Sequence, residues 1–264
     1  MILYEHPLSP YAQKVKIALR HKGIAFDLLR PDGIGSGNVP GEFAKGNPRG
    51  EVPLLIDGDL RIFDSTIMLD YIDERWPDPA LMPADPARRA RIRMIEDVMD
   101  THYEAINWGL GEIRYFHRAE GELAETLQSV AGEQTRDLQA WLSDKLGSDE
   151  WFSGSDFGRA DLSVVPFLNA STGFGFGPDA DSQLGQWLQR VNAVESVRQT
   201  ADEAAQSIAT IGKAYKAVES GLFKRQYRDH RLEWMVRSGG IDVVTNGLVK
   251  GDIRFTGRFG EVRD

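Results

Sequence analysis

The sequence predicts two domains: an N-terminal α/β domain of βαβαββα order, then an all-α helical bundle. Three observations carry this. Short apolar runs alternate with helical patterns as far as Tyr71. Pro77, Pro79, Pro83 and Pro86 crowd the stretch that follows, as in a linker. Beyond it the apolar residues recur at helical spacing. With 264 residues and 41% hydrophobic content, the chain has material for two modest cores. The division expected is 1–78 and 86–212, with 213–264 as a C-terminal extension.

In chain order, Ile2 to Tyr4 reads as a strand. A helix follows, carrying Ala12, Val15, Ile17, Ala18 and Leu19, with Ser9 as N-cap and Pro10 at its first position. Ile24 to Leu29 reads as a second strand. Pro31 to Gly46 is a Gly/Pro-rich connection holding one short helical turn at Glu42 to Lys45. Leu54 to Ile56 and Leu60 to Phe63 flank Asp57-Gly58 and form a hairpin. Pro53 enters that hairpin where a ladder donor is dispensable, and a cis Val52-Pro53 bond turns the Val52 backbone groups outward. Asp64-Ser65 caps the next helix, where free N–H groups and the helix dipole favour a carboxylate.

After the linker, Ala87 to about Tyr115 and Leu123 to Leu146 are long amphipathic helices. In Trp151 to Leu162, Gly158 stands at an N-cap with Asp161 placed to reach back to its N–H, a folding element without chemistry. Leu162 to Leu168 and Gln183 to Val197 are the last helices of the bundle.

Composition removes several function classes. The net charge of -9 disfavours nonspecific nucleic-acid binding, which needs clustered Lys and Arg. No run approaches the ~20 apolar residues of a membrane span, and the N-terminus lacks the pattern of a secretory leader, so cytoplasm is expected. With no cysteine there is no protein thiolate, and the five histidines lack metal-ligand spacing, so no metal is expected.

Ser9-Pro10-Tyr11-Ala12, Asn47-Pro48-Arg49-Gly50-Glu51-Val52-Pro53 and Asp64-Ser65-Thr66-Ile67, in this order, resemble the thioredoxin-like domain of cytosolic glutathione transferases. The register of Ser9 is similar to the bacterial Ser-type, theta and β-etherase-like branch. The resemblance covers residues 1 to about 210 and implies the glutathione transferase fold, a homodimer, glutathione as co-substrate and a detoxification-type reaction on a hydrophobic electrophile. It implies that Val52, ahead of Pro53, pairs with the cysteinyl backbone, and that Asp64 and Ser65 hold the γ-glutamyl end. Lys45 and Arg49 are the candidates for the glycyl carboxylate.

Ser9 takes the place of the catalytic residue. A serine hydroxyl stays neutral but donates to a sulfur anion, and the helix N-terminus adds a favourable field. Lowering a thiol pKa by ~2 units from about 8.5 needs roughly 2.7 kcal/mol. One hydrogen bond to a charged acceptor, ~1.5 to 3 kcal/mol, together with the helix end, covers that. Tyr4 and Tyr11 are the alternative hydroxyls. Tyr11, Met99, His102, Trp108, Tyr115 and Phe116 are the candidates to wall an apolar electrophile pocket between the domains, and an aromatic electrophile fits them. Conjugation, ether cleavage and dehalogenation are all open. The alternative is a non-catalytic glutathione-transferase-like interaction module, which the extension favours. Leu222, Phe223, Tyr227, Trp234 and Met235 of that extension require burial, and Ile241 to Leu248 fits either a helix or a hairpin.

Overall fold

The computed structural model describes residues 1–36, 41–209 and 211–255. Residues 37–40 of the Gly/Pro-rich connection and 256–264 of the extension lie outside the described residues. Strands β1 (Ile2–Tyr4), β2 (Asp27–Leu29), β3 (Leu54–Asp57) and β4 (Leu60–Phe63) form one sheet in the order β2-β1-β3-β4. β1 and β2 are parallel, with helix α1 (Pro10–His21) as their crossover; the other neighbours are antiparallel. Helices α2 (Gly41–Gly46) and α3 (Ser65–Arg75) complete the thioredoxin-like βαβαββα order.

Strand alternation splits the core of this domain. Leu3, Leu55 and Ile62 pack with Val15, Leu19, Met68 and Ile72 of α1 and α3. Tyr4, Leu54 and Ile56 point the other way, onto Phe43 of α2. Two local readings need correction. β2 begins at Asp27 because Ile24 and Phe26 are used against the α1–α3 core ahead of the strand. Asp57 pairs with Leu60, so the turn is Gly58-Asp59 and not Asp57-Gly58. Gly58, at φ 59, takes the first central position, as a type II′ turn requires.

In the helical part, α4 (Pro86–Val98) starts at Asp85, whose Oδ2 accepts from the Arg88 N–H at 2.7 Å. It runs through a π-helical turn, Met99–Tyr103, into α5 (Glu104–Arg114). The predicted first long helix is therefore continuous, with one widened turn. α6 (Gly121–Leu146), α7 (Arg159–Phe174), α8 (Gln183–Asn192) and α9 (Glu195–Ile208) follow.

The run expected from Gln183 to Val197 breaks at Ala193-Val194. The cause is geometric: Val197 lies six residues past Val191, ~240° round an ideal helix. Only a bend returns both to the core they share with Trp187. Asp161 accepts from the Gly158 N–H at 3.1 Å, the one half of a capping box that glycine permits. It also accepts from the Phe152 N–H at 2.8 Å and Trp187 Nε1 at 2.9 Å.

The chain then forms α10 (Ala214–Glu219), β5 (Arg225–Gln226), α11 (Asp229–Arg237), α12 (Ile241–Lys250) and β6 (Ile253–Arg254). Ile241 to Leu248 is thus helical. α11 lies on α5 at Gly109, where an added Cβ would stand 2.1 Å from the Trp234 ring. Tyr227, Trp234 and Met235 share a core with Ile106 and Trp108. Leu222, by contrast, is 73% exposed.

Candidate functional site

Sheet register brings three separated motifs to one end of the domain. Tyr4 pairs with Leu54, and Leu54 with Phe63, so one row of the sheet ends at the chain leaving β1, the chain entering β3 and the chain leaving β4. Ser9, Val52-Pro53 and Asp64-Ser65 are the loops that extend past this row. The Val52–Pro53 bond is cis.

Ser9 is the N-cap of α1, and its Oγ accepts weakly from the Ala12 N–H at 3.4 Å. Capping uses a lone pair, which leaves the O–H to donate outward. Tyr11 differs, because its hydroxyl already donates to the Asp100 carbonyl at 2.7 Å. Burial, with the nearby charges of Glu104 and Asp100, raises its pKa well above the ordinary phenol value. Tyr4 packs against Phe43 at 5.6 Å between ring centroids. Of the three hydroxyls, Ser9 is the one with a free donor at a helix end.

Asp64 caps α3 from a left-handed backbone, φ 77 and ψ 120, accepting from the Thr66 N–H at 3.1 Å. A non-glycine residue at positive φ is strained and persists where its surroundings hold it. Here Arg49 Nη1 donates to Asp64 Oδ2 at 3.1 Å. Arg49, a candidate for the glycyl carboxylate, is thus paired with Asp64, both side chains about one-third exposed. Lys45 pairs with Glu42 at 3.0 Å on an open rim, its side chain 72% exposed.

Beneath these motifs runs a buried ion network that sequence reasoning missed. Lys14 Nζ, fully buried, donates to Glu96 at 2.9 Å and to Asp100 at 2.6 Å. Arg159 donates to Glu96 at 2.7 Å, to Asp70, and to the Thr66 carbonyl at 3.1 Å. Thr66 Oγ1 closes the ring by donating to Glu96 at 3.1 Å. The two helices whose N-termini carry Ser9 and Asp64-Ser65 are thereby fixed to α4. Burial alone would raise Glu96, but Lys14 and Arg159 outweigh it and hold its pKa at about 2. Burial lifts Asp100 to about 6 against the pull of Lys14, with added repulsion from Glu96.

The electrophile-pocket candidates do not form one open wall. Met99 is fully buried in the bundle core and lines no cleft. His102 is exposed, its Nδ1 2.9 Å from Thr101 Oγ1. Tyr115 leans on Phe174 at 5.6 Å. Trp108 lies edge-on to Tyr227 at 4.7 Å, flanked by the guanidiniums of Arg225 and Arg231 at 5.5 and 5.3 Å. Phe116 stacks on Phe223 at 6.0 Å beneath Arg225. The extension therefore occupies the face of α5 expected to meet an electrophile.

Ion pairs hold it there. Arg231 Nη2 donates to Glu104 at 2.5 Å and His230 Nε2 lies 2.8 Å from the same carboxylate. Arg225 pairs with Glu112, and Arg118 with Asp252 at 2.7 Å. Toward the N-terminal domain, the Lys224 N–H donates to the Gly35 carbonyl at 2.7 Å and Arg228 approaches Glu51 at 3.7 Å. Among the described residues, no three His, Asp or Glu side chains are grouped to hold a metal ion, and no helix is long and apolar enough to cross a membrane.

Residues 3–80 match the family model for the glutathione S-transferase N-terminal domain. The chain is 35% identical to glutathione S-transferase U28 of Arabidopsis thaliana over 163 residues, covering 61% of this chain and 68% of that one. It is 28% identical to the stringent starvation protein A homolog of Coxiella burnetii, over 64% of this chain and 74% of that one. Its fold is similar to that of rice GST1, solved in complex with glutathione, with a TM-score of 0.67 at 24% identity over 81% and 96% of the two chains.

Proposed function

We propose, for a chain that belongs to the cytosolic glutathione S-transferase superfamily, that it is an active glutathione transferase of the bacterial Ser-type, β-etherase-like branch. Residues 1–78 bind glutathione, 86–212 form the electrophile-binding domain and 213–264 extend over it. Val52 pairs with the cysteinyl backbone, Asp64 and Ser65 hold the γ-glutamyl end, and Ser9 donates to the sulfur. The thiolate so stabilised attacks an apolar, aromatic electrophile; a carbon–sulfur bond forms as the leaving group departs with the bonding electrons, or as the electrons move onto an activated double bond. The protein works in the cytoplasm as a homodimer in detoxification chemistry, without a metal.

The observation that supports this reading most is the convergence of Ser9, Val52-Pro53 and Asp64-Ser65 at one end of the sheet, with the Ser9 O–H uncommitted. Titration of bound glutathione by thiolate ultraviolet absorbance tests it. The wild type lowers the thiol pKa by about 2 units and Ser9→Ala returns most of that shift, in keeping with one lost hydrogen bond to a charge. Identical titrations for the two proteins remove Ser9 from the mechanism. A second reading, a non-catalytic interaction module, is favoured by the covering of Trp108 and Phe116 and by a relative named for starvation instead of transfer. Absence of glutathione binding at millimolar concentration selects it.

A further inference from the structure

We infer that Arg228, carried on the C-terminal extension, receives the glycyl carboxylate of bound glutathione, so that the extension completes the co-substrate site. This rests on the glutathione reading above. With the γ-glutamyl end at Asp64-Ser65 and the cysteinyl unit on Val52, the glycyl end leaves Val52 on the side away from the β3–β4 hairpin. Glu51 is the next residue on that side, and residues paired in extended conformation step by only ~3.3 Å. The site thus offers a carboxylate, Glu51, just where a tripeptide would bring another.

Arg228 answers that charge. Its Nη1 lies 3.7 Å from Glu51 Oε2, a long ion pair with room for a competing acceptor, and its side chain is 28% exposed. Its backbone is nevertheless fixed. Tyr227 is buried on Trp108, and both His230 and Arg231 are anchored on Glu104, so the arginine's backbone is held beside Glu51 with little of it left to order on binding. The other cations near the site are engaged: Arg49 by Asp64, Lys45 by Glu42, Arg231 by Glu104 and Arg225 by Glu112.

Charge distribution supports the same assignment. Residues 213–264 hold 11 of the 31 basic residues but only 7 of the 40 acidic ones, so the extension is the cationic part of a chain that is otherwise strongly acidic. An anionic tripeptide binding beside Glu51 gains most from the cation the extension brings.

The test is isothermal titration of the full chain with glutathione and with its glycyl monoethyl ester, for the wild type, Arg228→Gln and Glu51→Gln. The wild type is expected to bind glutathione about tenfold more tightly than the ester, the worth of a charge-assisted bond. Arg228→Gln weakens glutathione by about the same factor and leaves the ester unchanged; Glu51→Gln, by freeing the arginine, tightens glutathione several-fold. Opposite signs for the two variants, confined to the ligand with a free glycyl carboxylate, are not what a merely structural role produces. Equal effects on glutathione and ester, or ester discrimination that persists in Arg228→Gln, overturn the assignment while glutathione binding stands. A wild type that binds neither ligand overturns the glutathione reading and this inference together.

Discussion

Replacing Arg231 by methionine should show how firmly the extension is fixed to the body. Glu104 is 5% exposed and receives three hydrogen bonds from the Arg231 guanidinium, at 2.5, 3.1 and 3.1 Å, besides the His230 contact. Burial alone would raise Glu104, but Arg231 and the His230 hydrogen bond hold its pKa at about 2. Against an unfolded value of ~4.3, that depression stabilises the native state by roughly 3 kcal/mol at neutral pH. Loss of one partner of a buried pair costs ~3 to 5 kcal/mol, and the His230 contact keeps the expected loss near the lower end.

The assay is urea denaturation of wild type and Arg231→Met at pH 7 and pH 4.5. At pH 7 the variant should lose about 3 kcal/mol, a fall of about 10 °C in melting temperature for a chain of this size. In the wild type the contribution is present above ~4.3 and disappears as pH falls towards 2. In the variant the stranded carboxyl titrates upward, so its penalty shrinks as pH falls through that raised value and the two stability curves converge. A loss below about 1 kcal/mol at pH 7, or a difference that does not change with pH, refutes the view that this pair secures the extension.

Three further outcomes are expected. Because the chain has no cysteine, the pure protein should not reduce a glutathione mixed disulfide, whereas Ser9→Cys should gain some of that activity, since a helix N-terminus lowers a thiol pKa; a coupled glutathione reductase assay reads both. Light scattering at micromolar concentration should report a dimer and not the 29.5 kDa particle of one chain, with exposed Leu60 on edge strand β4 and exposed Ile67 on α3 as apolar surface to be covered. Truncation before Lys213 should uncover Trp108, strip Glu104 of Arg231 and leave Glu112 with only the long Arg118 contact at 3.8 Å, lowering the melting temperature by more than about 10 °C; a truncated protein with wild-type melting, assembly and activity makes the extension dispensable.

What was legible in the sequence was what short-range chemistry determines. Ser9-Pro10 reads as a helix start because a cap and a fixed φ act on their neighbours, and Asp64-Ser65 and Val52-Pro53 read likewise. The ion network was not legible, because Lys14 meets Glu96 across 82 positions and Arg159 meets Asp70 across 89. In the sequence each of these is an ordinary charge in a helix, of the kind that usually faces water.

The same limit applies to Trp108 and Phe116, candidates from the sequence for a pocket wall. Trp108 lies on α5 and Phe116 in the turn just after it, while the occupant of that surface lies more than a hundred residues away. That occupant comes with arginines spaced to meet the acids of α5. Glu104, Trp108 and Glu112 recur every four residues along one stripe of the helix, and Arg231, Tyr227 and Arg225 of the extension cover them in that order. The repeated matching of cation to carboxylate, with a ring between, is a specific docking surface, and Arg228 lies on its side facing Glu51. Under the proposed transferase reading, an electrophile that uses this face of α5 has to pass or displace residues of the extension, so substrate selectivity is expected to change with substitutions there before it changes with substitutions in the bundle core.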